Sequence, residues 1–156
     1  MNKKATFGAG CFWSVEERFS LLKGVVETEV GYAGGPDGHV TYEQVCTGGT
    51  GHAEVVHITY NPDIITYEEL LEEFWKMHDP TQLNKQGPDI GSQYRSIIFY
   101  HTDDQKEIAE KSFKEKDESG KFDDPIVTAI EPAGHFCRAE EYHQDFNRKN
   151  GRHCKI

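Results

Sequence analysis

Between residues 53 and 77 the apolar side chains change their period. In AEVVHITY (53–60) they alternate with polar ones, whereas from Thr66 to Met77 the residues Tyr67, Leu70, Leu71, Phe74 and Trp75 recur at steps of three and four. A period of two marks a strand with one buried face, and a period of about 3.6 marks an amphipathic helix. Thr66 and Glu69 form a capping-box pattern that sets the helix start. A strand and a helix that each carry one apolar face, joined by a short turn, bury those faces together only in a layered α/β arrangement.

The rest of the chain repeats this alternation. KKATFGA (3–9) reads as a first strand, and Phe12 to Ser20 as a helix with Phe12, Val15 and Phe19 on one face. VVETEVGY (25–32) is a strand with Val26, Val30 and Tyr32 on one side and Glu27 and Glu29 on the other. GYAGGPDGH forms the turn beyond it, and HDPTQLNKQGPDIGSQ is a long polar loop. RSIIFYH is a third central strand, Asp103 to Glu118 a weakly amphipathic helix, PIVTAIE a further strand and Ala139 to Lys149 a last helix with Gly151 as its stop. The order β-α-β-β-α-β-α-β-α predicts an α/β (α+β) fold, a two-layer sandwich with a mixed sheet and a ferredoxin-like core. No composition break divides residues 1–156, so one domain is expected, with 150–156 a mobile tail carrying Cys154.

Charge narrows the function. Seventeen Lys and Arg against 27 Asp and Glu give a formal charge of −10, which disfavours a phosphate-tracking surface, so no nucleic-acid partner is expected. No apolar run has the length of a membrane span, and the stretch between Lys4 and GAGC is too short for a signal peptide, so a cytoplasmic chain that does not engage membranes is expected. Cys11, Cys46, Cys137 and Cys154 are widely spaced, unlike a secreted disulfide framework. Thiols in a reducing compartment are free, metal-bound or catalytic.

Cys11 lies between Gly10 and the pair Phe12–Trp13, at the junction of the first strand and helix. A helix N-terminus favours the thiolate, the nucleophilic form, and the two aromatics make its surroundings apolar. Glu54 shares its parity with Val56, Ile58 and Tyr60, the more apolar side of its strand. Two readings of it stand: a buried carboxyl whose raised pKa suits a general acid, or a strand-end glutamate whose head reaches solvent. Tyr42, Asp89 and Tyr94 lie in or beside the polar loops, where each alone reads as an anchored tyrosine or an Asx turn.

GCFWSVE, GYAGG, TYEQVCTGGTGHAEVV, GPDIGSQYRS and AEEYHQDF, in that order, resemble the A-type peptide methionine sulfoxide reductases over most of the chain. The resemblance implies reduction of the S-epimer of methionine sulfoxide, free or in proteins, and repair of oxidatively damaged proteins. Cys11 would be the nucleophile that attacks the sulfoxide sulfur, with Phe12 and Trp13 caging the substrate methyl group. Glu54 would protonate the sulfoxide oxygen, held by Tyr42, Tyr94 and Asp89. The sulfenic acid left on Cys11 would condense with Cys154, at about the family's resolving position, and thioredoxin would reopen the disulfide. Cys137 stands where many relatives are expected to have tyrosine, and is either a relay thiol or a bystander. Cys46 is expected to be structural. A monomer is expected, with no cofactor and no metal.

Three rival readings remain. His135, Cys137, His143, His153 and Cys154 supply N and S donors for a metal, although not at paired-cysteine spacing. Cys11 with a histidine base would make a cysteine hydrolase. A non-enzymic binding module would leave Cys11, Phe12, Trp13 and Glu54 without a purpose. GGTG and GYAGG lack the ending of a phosphate loop and read as turns.

Overall fold

The computed structural model describes residues 2–36 and 39–146. It opens with β1 (Lys3–Ala9), α1 (Phe12–Ser20), β2 (Val25–Ala33), the five-residue α2 (Tyr42–Cys46) and β3 (Ala53–Tyr60). α3 (Tyr67–Lys76), the two-residue strands β4 (Lys85–Gln86) and β5 (Asp89–Ile90), a 3-10 turn at Ser92–Tyr94 and β6 (Ser96–Tyr100) follow. α4 (Asp103–Glu118), β7 (Ala129–Pro132), β8 (Phe136–Arg138) and a 3-10 turn at Glu141–His143 complete the described elements.

Six strands form one sheet in the order β7-β6-β1-β3-β2-β8. The central four, β6-β1-β3-β2, are antiparallel throughout, and α1 and α3 lie on the two crossovers, the arrangement of a ferredoxin-like core. β7 runs parallel to β6, which makes the sheet mixed, as the element order predicts.

Alternation along β1 turns Ala5, Phe7 and Ala9 into the core, where Phe7 meets Phe19 of α1 with ring centroids 5.3 Å apart and Phe74 of α3 at 5.2 Å. α3 begins at a complete capping box, with Thr66 Oγ1 accepting from the Glu69 N–H and Glu69 Oε1 accepting from the Thr66 N–H, each at 3.1 Å. It buries Tyr67, Leu70, Leu71, Phe74 and Trp75, each worth about 1.5–3 kcal/mol. Trp75 Nε1 donates to Ser112 Oγ at 2.8 Å and fastens α4 to α3. Ala33, Ala53, Val55, Ile97 and Phe99 form a smaller cluster with Phe136 packed against it.

The structure corrects four local readings. Val26 is exposed, because a bulge between Val25 and Glu27 shifts the register and puts Thr28 in step with Val30 and Tyr32. The PIVTAIE strand shortens to Ala129–Pro132, since the Val127 N–H is already bonded to the Pro80 carbonyl. From Ala139 to Asp145 the chain makes only a 3-10 turn where the start of the helix Ala139–Lys149 was expected, and residues 147–149 lie outside the described residues: Phe136–Arg138 pairs with β2, and the Gln144 side chain bonds the Val30 N–H, the Val30 carbonyl and the Ala139 carbonyl at 2.9, 2.9 and 3.0 Å. Asp145 then takes a positive φ of 54°. The polar loops also hold more order than expected, namely α2 and the β4–β5 hairpin. No helix among the described residues is long and apolar enough to cross a membrane.

Candidate active site

Cys11 is the N-cap residue of α1: its carbonyl accepts from the Val15 N–H at 3.3 Å, and its side chain makes no capping bond. Gly10 before it has a φ of 99°, and a Cβ there would lie 3.0 Å from the Gln86 side chain, so glycine lets the β4–β5 hairpin close over the strand end. Gly8 serves a different end, the approach of the Glu54 carbonyl and Ile97 to β1. The helix start does not leave the thiol acidic. Burial, then the Glu54 charge, push it up to about 12, against the opposing Trp13 and Ser14 N–H groups, while Asp89 adds to the rise. The thiolate expected from the helix dipole is therefore a thiol in the free protein.

Glu54, in β3, is 1 % exposed. Its Oε1 accepts from the Phe12 N–H at 3.2 Å, and its Oε2 is buried with no hydrogen-bond partner among the described residues. Burial raises its pKa to about 8; the Phe12 N–H opposes the rise and Asp89 adds to it. Of the two readings left open, the buried carboxyl is the one observed, and it is neutral at pH 7. Its side chain bonds the residue directly after Cys11, which joins nucleophile and acid through one backbone amide.

Asp89, in β5, and Tyr94, closing the 3-10 turn that packs against β3, come to the same place. Burial raises Asp89, and burial followed by the charges of Glu54, Cys46, Asp89 and Cys11 raises Tyr94. Tyr42, first residue of α2, is raised by burial and then by Glu54. Its ring lies 6.3 Å from Phe12 and 6.2 Å from Trp13. All seven residues expected to act on substrate, Cys11, Phe12, Trp13, Tyr42, Glu54, Asp89 and Tyr94, thus converge on the β1–α1 junction from five separate elements.

Residues that sequence reasoning gave no part in holding substrate complete the wall. Trp13 stacks on Phe146 with centroids 3.9 Å apart, and its Nε1 donates to His143 Nδ1 at 2.9 Å. The Glu140 carboxylate accepts from Tyr32 Oη at 3.0 Å and from the Tyr42 N–H at 3.1 Å, holding α2 beside the site. These residues belong to AEEYHQDF, where the run of Glu, His and Gln in an otherwise weak helix pattern was the available signal.

The remaining thiols separate. Cys46 is exposed at the end of α2, and it bonds the Tyr42 side chain. Cys137 is buried in β8 with its Sγ 3.9 Å from His39 Nδ1 and 3.7 Å from the Val40 carbonyl. Cys154 and the rest of 147–156 lie outside the described residues. Among the described residues no three His, Cys, Asp or Glu side chains form a metal-holding group. His143 turns to Trp13 and Cys137 to His39, so two donors of the proposed cluster face different partners. The side chains that act on Cys11 are carboxylates, not the histidine that a hydrolase needs.

The model of the family described as peptide methionine sulfoxide reductase matches residues 3–156. The peptide methionine sulfoxide reductase MsrA of Methanothermobacter thermautotrophicus is 61% identical over 150 residues, 96% of this chain and 89% of the relative. Reduced Mxr1 from Saccharomyces cerevisiae superposes with a TM-score of 0.88 at 41% identity, covering 98% of this chain and 88% of that one. Mxr1 in complex with Trx2 matches with a TM-score of 0.63 at 31% identity, over 99% of this chain and 87% of that one.

Proposed function

Because the chain belongs to the peptide methionine sulfoxide reductase family and is an enzyme that reduces methionine sulfoxide to methionine, we propose that Cys11 and Glu54 carry the reaction on the S-epimer, free or in proteins. One observation supports this above the others: a neutral carboxyl with an unpartnered oxygen, buried beside a nucleophile and tied to the next residue's N–H. A sulfoxide oxygen leaves only when protonated or strongly hydrogen-bonded, and a protonated Glu54 supplies that proton. The resulting carboxylate takes the Cys11 proton as sulfur attacks sulfur. Oxygen passes to Cys11 as a sulfenic acid, the substrate sulfur gains two electrons, and methionine leaves. Phe12 and Trp13 hold the methyl group, while Tyr42, Tyr94 and Asp89 hold the oxygen end.

The sulfenic acid then condenses with the Cys154 thiol, giving a disulfide and water, and a dithiol reductant reopens it. The complex of Mxr1 with Trx2 supports thioredoxin in that role. Cys137, buried beside His39 and Val40, is a poorer relay than an accessible thiol. We take residues 1–156 as one catalytic domain acting as a monomer, a reading supported by the convergence of the acting residues within one chain, and we expect it in the cytoplasm.

The test mixes fully reduced protein with excess methionine S-sulfoxide and no reductant. About one methionine per chain and a Cys11–Cys154 peptide are expected, and none from Cys11→Ser. About two per chain with a Cys154–Cys137 peptide would place Cys137 in the relay. A folded wild-type chain that yields no methionine overturns the assignment.

A further inference from the structure

His143 is 1 % exposed and lies among aromatic rings: Phe12 at 5.3 Å, Tyr42 at 4.5 Å and Tyr142 at 4.1 Å between centroids. Its Nδ1 accepts from Trp13 Nε1, so the neutral ring carries its proton on Nε2. That Nε2 is buried and has no hydrogen-bond partner among the described residues. Leaving a buried N–H unmet is costly, and an apolar residue of similar shape would avoid the cost. What histidine provides here and phenylalanine would not is the acceptor at Nδ1. The two rings lie within 27° of coplanar, so the bond runs edge to edge and fixes the indole's rotation, while Phe146 stacks on the indole at 11°.

We propose that His143 is the positioning residue that locks the Trp13 indole as a wall of the methyl pocket, and thereby sets the preference for a methyl sulfoxide over bulkier ones. The proposal rests on the reading of Trp13 as part of the substrate cage. An indole free to turn about its χ angles widens the pocket, and one methylene is worth about 10–200-fold in a well-formed apolar pocket. Discrimination therefore depends on the wall staying where the histidine puts it. His143 touches neither Cys11 nor the oxygen in this account, so its loss is felt in binding.

The bond also carries a pH signature. Protonated His143 has N–H groups at both nitrogens and cannot accept from Trp13. Burial holds its pKa below the ordinary histidine value, with the Glu140 charge opposing. Tyr42, Tyr142 and Trp13 face the ring from the neighbouring elements and are uncharged in this range. KM is therefore constant near neutrality and rises only in acid, below the usual histidine range.

A double-mutant cycle tests the assignment, with methionine S-sulfoxide and the S-epimer of ethionine sulfoxide as substrates. His143→Phe keeps the ring and removes the acceptor; His143→Gln moves the acceptor to the Nε2 position; His143→Asn keeps one at the Nδ1 position. Phe and Gln variants are expected to raise KM about five- to tenfold with kcat within about twofold, and to narrow the methyl-over-ethyl ratio of kcat/KM. Asn is expected to restore most of the KM and to remove its acid rise. The Trp13 fluorescence, obtained as the difference between chains with and without Trp13→Phe, should shift in the first two variants and return in the third. In a Trp13→Phe chain, His143→Phe should add less than about twofold. Independent, multiplying effects of the two changes, or equal behaviour of Phe and Asn variants, would overturn the role of His143 while leaving the cage intact. Trp13→Phe without effect on KM or on the methyl preference would bring down the cage reading itself, and His143's role with it.

Discussion

Burial and the Glu54 charge together hold Cys11 protonated, and this bears on how the thiol can be studied. After burial, the Glu54 charge is the largest cause of the raised Cys11 pKa of about 12. Glu54→Gln removes that charge while keeping the shape, so alkylation of Cys11 by iodoacetamide at pH 8.5 should speed up about three- to tenfold, as followed by mass of the Cys11 peptide. Sulfoxide reduction by the same variant should fall about 10²–10⁴-fold, because the proton donor is gone. Opposite movements of the two rates separate loss of an acid from loss of a fold, and an unchanged alkylation rate would remove Glu54 from the electrostatics of Cys11. In the wild type, kcat/KM should decline as pH rises through about 8, where Glu54 loses its proton. Strand parity placed Glu54 on the buried face correctly, because alternation is a rule of strand geometry. The thiol was misjudged because a helix terminus offers about 0.3–1 kcal/mol, whereas full burial moves a pKa by units, and burial is not visible in the residues around position 11.

At the scale of elements, the segment after β8 shows where pattern fails. Ala139–Lys149 has enough helix-forming residues to read as a helix, yet over its first seven residues the Ala139 N–H bonds the Val30 carbonyl and the Gln144 amide takes the β2 edge. Long-range bonds decide the conformation, and they are set by which strand edge is open, a fact that is not local to the segment. α2, by contrast, carried a local signal that the sequence reading passed over: Thr41 and Gln44 form a capping box of the S/T-x-x-E/Q type, set among glycines that read as a turn. Gln144→Leu keeps the side-chain bulk and removes three hydrogen bonds, leaving Val30 with an unmet N–H. It should destabilise the protein by about 2–3 kcal/mol in urea unfolding. Hydrogen exchange at the Val30 amide should lose protection before the core strands do. A loss spread evenly over the sheet would mean that the segment after β8 is part of one cooperative unit rather than a cover on its edge.

For the whole molecule, the order of strands and helices along the chain was legible and led to the ferredoxin-like core, while the bounds of β7 and the existence of β8 were not. β7 and β8 are four and three residues long, too short to show a period, and each is specified by the edge it joins. The same assembly buries ionisable groups from distant parts of the chain, and these decide how its stability answers to pH. Burial lowers the pKa of His52, His57, His78, His101 and His143, with His78 reaching about 4. His78 is locked neutral: Nδ1–H donates to the Phe74 carbonyl at 2.7 Å, and Nε2 accepts from Ser96 Oγ at 2.7 Å, which in turn accepts from Thr128 Oγ1. Groups of this kind bind fewer protons folded than unfolded, so their contribution is complete above about 6.5 and is lost as pH falls toward 4. Glu54 has the opposite sign. Its folded pKa of about 8 lies above the ordinary 4.5, so its contribution is complete below 4.5 and is lost as pH rises through 8. Between 4.5 and 6.5 His78 opposes Glu54 one for one, the other four lowered histidines add to its side just below 6.5, and above 6.5 the glutamate acts alone among them. Stability should therefore peak near pH 6.5, read as urea midpoints from pH 4 to 9. Glu54→Gln should flatten the alkaline limb between 6.5 and 8 and leave the acid limb in place. The excess of acidic residues burdens both chains nearly alike, so it is the difference between them that reports on Glu54. Curves that run parallel above pH 6.5 would show that Glu54 titrates in the fold as it does in water, and would take with them its place as the acid.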